Sequence, residues 1–224
     1  MHISRSIQTK KQPIAKQLIV AAALFISIAL GSSSAIAQST TVTIFSNLGP
    51  SSTDLFFTGT TTDGGTNGGC IIGADKVSGN FCGRNQLETW RAMPFIATQN
   101  SHATELQAAV GVSGGTNQFL LALFTNDNGL PGTALATVTV KDAPAANTCC
   151  TLATASLGTP GIALTAGTQY WVVVQTDDVN APTFSGIWAF SNNGPAIFQR
   201  QSNDQTEWGT EEGNFAFAVL GTTP

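Results

Sequence analysis

Gln118-Phe119-Leu120-Leu121-Ala122-Leu123-Phe124 is the stretch on which the reading of this chain turns. Successive side chains of a strand point to opposite faces. Phe119, Leu121 and Leu123 would therefore occupy one face, and Leu120, Ala122 and Phe124 the other. Apolar residues on both faces predict a central strand covered on each side. The following Asn126-Asp127-Asn128-Gly129-Leu130-Pro131-Gly132 stacks turn formers and is expected to break that strand.

Outward from this segment, period-two alternation recurs and no long stretch shows the 3.6-residue period of an amphipathic helix. Upstream, 41–45, 55–58, 90–97 and 104–112 read as strands, the last with Leu106, Ala108 and Val110 on one face and Glu105 and Gln107 on the other. Downstream, 134–140, 169–175, 187–191 and 215–220 continue the pattern, with Thr165-Ala166-Gly167 turning into the second of them. Segments 60–69 and 73–86 read as loops. The glycines of 60–69 mark turns, because neither the strand-to-helix context nor the following Lys-Ser/Thr of a phosphate cradle is present. Many short strands joined by Gly, Asn, Asp and Pro turns predict an all-β, two-sheet antiparallel sandwich of jelly-roll or Greek-key type.

The N-terminus is of another kind. Arg5, Lys10, Lys11 and Lys16 precede an apolar run over 18–30, and Ala35-Ile36-Ala37 supplies the small-residue exit of a signal peptide. Cleavage is expected between Ala37 and Gln38. A membrane anchor would need about 20 apolar residues, and this run is shorter. Without a lipid-attachment cysteine or a twin-arginine pair, the expectation is Sec-type export of one domain, 38–224, to the periplasm or beyond the cell.

Cleavage removes four of the 9 Lys+Arg and none of the 13 Asp+Glu, leaving five cations against thirteen acids, a formal charge of −8. The remaining cations, Lys76, Arg84, Arg91, Lys141 and Arg200, are too few and scattered to neutralise a phosphate backbone. Nucleic acid and anionic membrane surfaces are therefore not the expected partners. Cys70, Cys82, Cys149 and Cys150 form an even set in an exported chain and read as disulfides. Pairing Cys70 with Cys82 would close a glycine-rich loop and contribute roughly 3 kcal/mol. The alternative links Cys70 and Cys82 to Cys149 and Cys150. Zinc is disfavoured by the absent C-x-x-C spacing.

Several stretches resemble the choice-of-anchor R domain of exported bacterial proteins. They are 115–124, Asn128-Gly129-Leu130-Pro131-Gly132-Thr133, Cys149-Cys150-Thr151-Leu152, 164–172 and the opening Phe45-Ser46-Asn47-Leu48-Gly49. The likeness covers most of 38–224. It implies a sandwich similar to carbohydrate-binding folds and no established catalytic residues. The sorting signals for which that family is named are not matched by the terminal Gly221-Thr222-Thr223-Pro224.

Candidate chemistry is sparse. His102 is the only histidine of 38–224, in a polar loop, and a nucleophile needs such a base and an orienter. A glycosidase needs two carboxyls flanking the sugar; Glu207, Glu211, Glu212 and the pair Asp177-Asp178 read instead as solvated surface. No cofactor is expected beyond a structural calcium, for which Asp127 (with Asn126 and Asn128) and Asp177, Asp178 and Asn180 are the weak candidates. Trp90, Trp171 and Trp188 lie in strand-like runs and read as core, whereas Trp208 stands in a polar turn beside Glu207, with Arg200 upstream. Trp208, Glu207 and Arg200 are thus the candidate ligand-binding residues. The expected function is that of a secreted non-catalytic protein of the cell surface or matrix, with polysaccharide as the ligand class. The alternatives are a purely structural or adhesive protein and a glycan-active hydrolase.

Overall fold

The computed structural model describes residues 40–49, 55–56, 59–60, 66–67, 71–73, 90–146, 148, 150–191, 193, 197–201 and 207–224. For 59–60, 66–67, 71–73, 197–201 and 211–212 the backbone alone is described. The export segment, Cys70, Cys82 and Cys149, and most of the predicted loop 73–86, lie outside these residues. Residues Gln38–Pro224 form one unit.

Among the described residues the regular structure is entirely β. In chain order it comprises β1 (Thr41–Ser46), β2 (Gly59–Thr60), β3 (Thr66–Asn67), β4 (Ile71–Gly73), β5 (Arg91–Ile96), β6 (Ser101–Ala108), β7 (Val110–Gly114) and β8 (Gln118–Asp127). There follow β9 (Leu130–Lys141), β10 (Ala153–Ser156), β11 (Ile162–Leu164), β12 (Gln169–Gln175), β13 (Ser185–Trp188), β14 (Ile197–Gln201), β15 (Trp208–Glu212) and β16 (Phe217–Thr222). One sheet runs β1-β16-β6-β10, with β11 also paired to β6; the other runs β15-β14-β5-β12-β8-β9. A three-stranded sheet, β4-β13-β7, and the pair β2-β3 complete the set. All strand ladders are antiparallel.

The expected all-β sandwich is present, with local corrections. The expected strand 104–112 is two strands, because the chain changes sheet at Ala109. There its N–H donates to Ala216 O at 3.0 Å and its carbonyl accepts from Ala189 N at 2.9 Å. The turn-rich 126–132 breaks the ladder for only two residues: Asp127 pairs with Leu130 around Asn128 (φ 52°) and Gly129 (φ 86°). Two consecutive positive φ values make this the turn whose twist matches a hairpin, and Asn-Gly is its favoured sequence. The segment 60–69, expected as loop, contributes to the β2-β3 pair. His102 sits within β6, opposite Thr222 and Ala163, and not in a loop before it.

Burial follows the alternation. Phe119, Leu121 and Leu123 of β8, Val172 and Val174 of β12, and Met93 and Phe95 of β5 face Leu106, Ala108, Phe217 and Val219 of the opposite sheet in one core. Phe217 is its hub: its ring lies 4.8 Å from Phe45, 6.2 Å from Phe95 and 6.3 Å from Trp188, centroid to centroid. Trp188 stacks in turn on Phe215 at 4.9 Å, and its Nε1 donates to Ala216 O at 2.8 Å, which satisfies the one polar atom that burial would otherwise strand. Arg91 is only 3 % exposed.

Truncating Phe217 to Ala removes the ring that three others touch and leaves a cavity that a two-sheet core closes poorly. We expect a loss of about 3–5 kcal/mol in urea unfolding. Val179→Ala, at a residue 88 % exposed, should change stability by less than about 0.5 kcal/mol; equal effects would contradict this placement of the core.

Candidate functional site

The same alternation gives the six-stranded sheet a second apolar face. Register sets Ala92, Val173 and Ala122 side by side, with Pro94, Trp171 and Phe124 in the next row. Ala92, Ala122, Phe124, Trp171 and Val173 form a cluster separate from the main core, and the partly buried Trp90 and Trp208 pack against it. The small side chains of Ala92 and Ala122 leave room above the sheet for indole rings.

Hydrogen bonds fix two of those rings. Trp171 Nε1 donates to Asn126 Oδ1 at 3.0 Å, and Gln169 Nε2 donates to the same oxygen at 3.0 Å. Trp90 Nε1 donates to Thr176 Oγ1 at 3.3 Å. Trp208 opens β15 opposite Gln201 of β14, and β14 joins β5 through Gln199 opposite Ala92 and Arg200 opposite Arg91. One further step of that register brings Trp90 level with Trp208, two strands away, about 10 Å at ordinary strand spacing.

Of the sequence-predicted ligand residues, Trp208 belongs to this face, in a strand and not in a turn, with Glu207 exposed beside it. Arg200 pairs with Gly209, one register step from the Gln201–Trp208 pair, so strand pairing does not make it a neighbour of Trp208. Trp188 lies in the main core and Trp171, 2 % exposed, is buried in the second cluster, as expected of core residues; Trp90, also expected in the core, is only partly buried against that cluster. The signal for the second cluster was available in β8, whose two apolar faces predict a strand covered on each side, and in β12, where Trp171 and Val173 alternate with Tyr170, Val172 and Val174.

The calcium candidates fall into two separate loops. Asp127 is exposed at the hairpin, and its Oδ1 accepts from Asn128 Nδ2 at 2.9 Å. Asp177 is buried; its Oδ2 accepts from Gln118 Nε2 at 2.6 Å and Asn180 Nδ2 at 3.1 Å, and its Oδ1 accepts from Asn180 N at 3.1 Å and Asn180 Nδ2 at 2.9 Å. Both oxygens are thus engaged in locking the turn after β12. Burial alone would raise the Asp177 carboxyl, but the hydrogen bonds from Gln118, Asn180 and the Val179 backbone outweigh it and hold the group below its usual range. Asp178 is exposed. Among the described residues no three His, Cys, Asp or Glu converge as a metal site. Cys150 is half-buried against the main core.

Sequence reasoning missed a buried polar network. Asn47 Nδ2 donates to Asn214 Oδ1 at 2.9 Å and to Phe215 O at 2.7 Å, while its Oδ1 accepts from Phe217 N at 2.7 Å. Ser191 Oγ donates to Asn47 O, and Asn214 Nδ2 to Asn193 O and Ser191 O. The ties made by Asn47 and by Ser191 to Asn47 O span more than 140 residues of chain, and those from Asn214 to Ser191 and Asn193 are more local; together they are a structural clasp without an acid or base. An apolar crevice bounded by Phe56, Val110, Pro144, Ala145, Ile187 and Ala189 likewise has no titratable side chain in its lining.

No family model matches this chain, and no curated protein matches it.

Asp177 carries a pH-dependent contribution of definite sign. Its folded pKa lies below the ordinary 3.8, so the stabilisation is complete above that value and is lost as pH falls through the folded one. Asp177→Ala should cost about 1–3 kcal/mol at pH 7. The gap from wild type should narrow as urea midpoints are taken below pH 4; a gap that widens in acid would reverse the sign.

Proposed function

We propose that this chain is an exported, non-catalytic β-sandwich protein of the cell surface or extracellular matrix that binds polysaccharide on the outer face of its six-stranded sheet. The observation that carries the reading is the second aromatic cluster, where Trp90 and Trp208 are only partly buried over a packed floor. Sugar rings present apolar C–H faces that stack on flat indoles, and a strand-mounted ring loses little entropy on binding. The resemblance to choice-of-anchor R domains and the carbohydrate-binding-like sandwiches they are similar to points the same way. Hydrolysis is the alternative reading, disfavoured by the sequence, which has a single histidine in 38–224 and no spaced carboxylate pair on one alternating strand.

Charge narrows the ligand class. Glu207, Glu211 and Glu212 lie at or beside β15, next to Trp208, in a chain of net charge −8 after export. Uronate- or sulfate-bearing polymers would meet like charge there, so neutral glycans are the favoured ligands.

A glycan array probed with the mature protein should give signal on neutral polysaccharides, and Trp208→Ala and Trp90→Ala should each weaken it at least about tenfold while circular dichroism is unchanged. Wild-type protein that binds no glycan would end the lectin-like reading in favour of a structural role. Binding indifferent to both substitutions would move the site elsewhere.

Export and oxidation are checked on the same preparation. Intact mass of protein from the producing cells should place the N-terminus at Gln38. Denatured protein should show no free thiol before reduction and four after it. A retained leader, or thiols titrating without reductant, would contradict the exported, oxidised state.

A further inference from the structure

The six-stranded sheet ends in two edges of unlike character. At one edge is β15, with Glu211 and Glu212 in the strand and Glu207 beside it, and inserted charge is a standard guard against strand addition. At the other is β9, 12 residues long and hydrogen-bonded only to β8 among the described residues. Its stretch 133–140, Thr-Ala-Leu-Ala-Thr-Val-Thr-Val, holds no charge. Guarding lies in its first half, by Pro131 and by bulges near Thr133 and Leu135, and at its last residue, Lys141, which leaves 136–141 in unbroken register with β8. Thr133, Ala134, Leu135, Thr137, Thr139 and Lys141 are exposed, and of the four large exposed apolar residues of the described chain two, Leu130 and Leu135, are on this strand.

We propose that β9 is a homotypic docking edge: two copies pair antiparallel along 136–140 about a two-fold axis at Val138. The occupant is a second copy for three reasons. A two-fold needs one self-complementary patch, and here it sets Thr137 opposite Thr139 and Ala136 opposite Val140, pairings of β-formers favourable across strands. Two chains of net charge −8 approach with least repulsion along a strip free of acids. The two Lys141 are held apart, each opposite Leu135 of the other copy and about 20 Å from its twin, beyond the screening length. Because β15 is guarded, the addition closes at a dimer and does not propagate into a fibre.

Light scattering coupled to size exclusion on the mature protein at micromolar concentration should give the mass of two chains. Thr137→Lys/Thr139→Lys places lysines directly opposite one another and should return the mass of one chain with unchanged circular dichroism and melting temperature, whereas Val179→Lys stays dimeric. As a readout independent of that variant, Val138→Cys should form a covalent dimer on mild oxidation and Val179→Cys should not. Wild-type protein of single-chain mass up to about 100 μM, or a dimer that survives the double lysine variant and fails to cross-link through Val138→Cys, overturns the proposal. Glycan binding by the single-chain variant separates this outcome from the polysaccharide reading, which does not depend on it.

Discussion

β8 hydrogen-bonds to β12 on one side and β9 on the other while its side chains enter two separate clusters, Phe119, Leu121 and Leu123 into the main core and Ala122 and Phe124 into the outer one. A register slip of one residue would exchange the two sets. Because the sets differ in bulk, three large residues against one small and one large, the exchange would overfill one cluster and hollow the other. The register of β8 therefore fixes that of β12, and through β12 that of β5 and the placement of Trp90 and Trp171. The aromatic face follows from how the core is packed.

A two-sheet sandwich must also hold together where its chain changes sheet, since turns leave backbone groups without ladder partners. The Asn47–Ser191–Asn214 clasp does this where the loop after β1, the chain after β13 and the approach to β16 meet. Asn47 and Asn214 bond to each other through their side-chain amides, and all three side chains also bond to backbone groups of another segment. Buried amides so fully used cost little in desolvation, whereas apolar replacements would leave several carbonyls and N–H groups unpaired. Asp177 acts in the same way at the turn after β12, with a carboxylate in place of an amide. These polar side chains sit in loops but serve the fold.

What the sequence disclosed and what it hid divide along physical lines. Long strands with strong alternation were legible: 169–175 has the observed bounds of β12, and Leu106, Ala108 and Val110 share the buried side as expected. Short or polar edge strands were not. β11, Ile-Ala-Leu, is too short to show a period, and β10 and β15 consist, Trp208 apart, of Ala, Thr, Ser, Gly or Glu, so their strand state comes from the neighbour they pair with and not from a pattern of their own. This is why Trp208 read as a turn residue. Trp90 was misassigned for a different reason: period two says that residues share a face, not how far the layer over that face extends to cover each of them. The polar clasp gave no signal, because Asn47, Ser191 and Asn214 are brought together only by tertiary structure.

The two functional features sit at different places on one sheet, the indoles of Trp90 and Trp208 near β15 and the unguarded backbone at β9. Residues directly opposite in an antiparallel pair point to the same side, so a dimer joined through β9 would carry both aromatic faces on one surface of a continuous sheet. At about 4.8 Å per strand the two Trp208 positions would lie roughly 50 Å apart. No single short oligosaccharide bridges that distance, but an extended polymer does. Two weak sites on one chain of sugars then act through effective concentration, with avidity exceeding either affinity by about 10²–10⁴. A shallow, strand-mounted platform with no enclosing pocket is a poor monovalent binder. Pairing at the far edge is the arrangement that would let such a platform hold a polysaccharide without deepening the site itself.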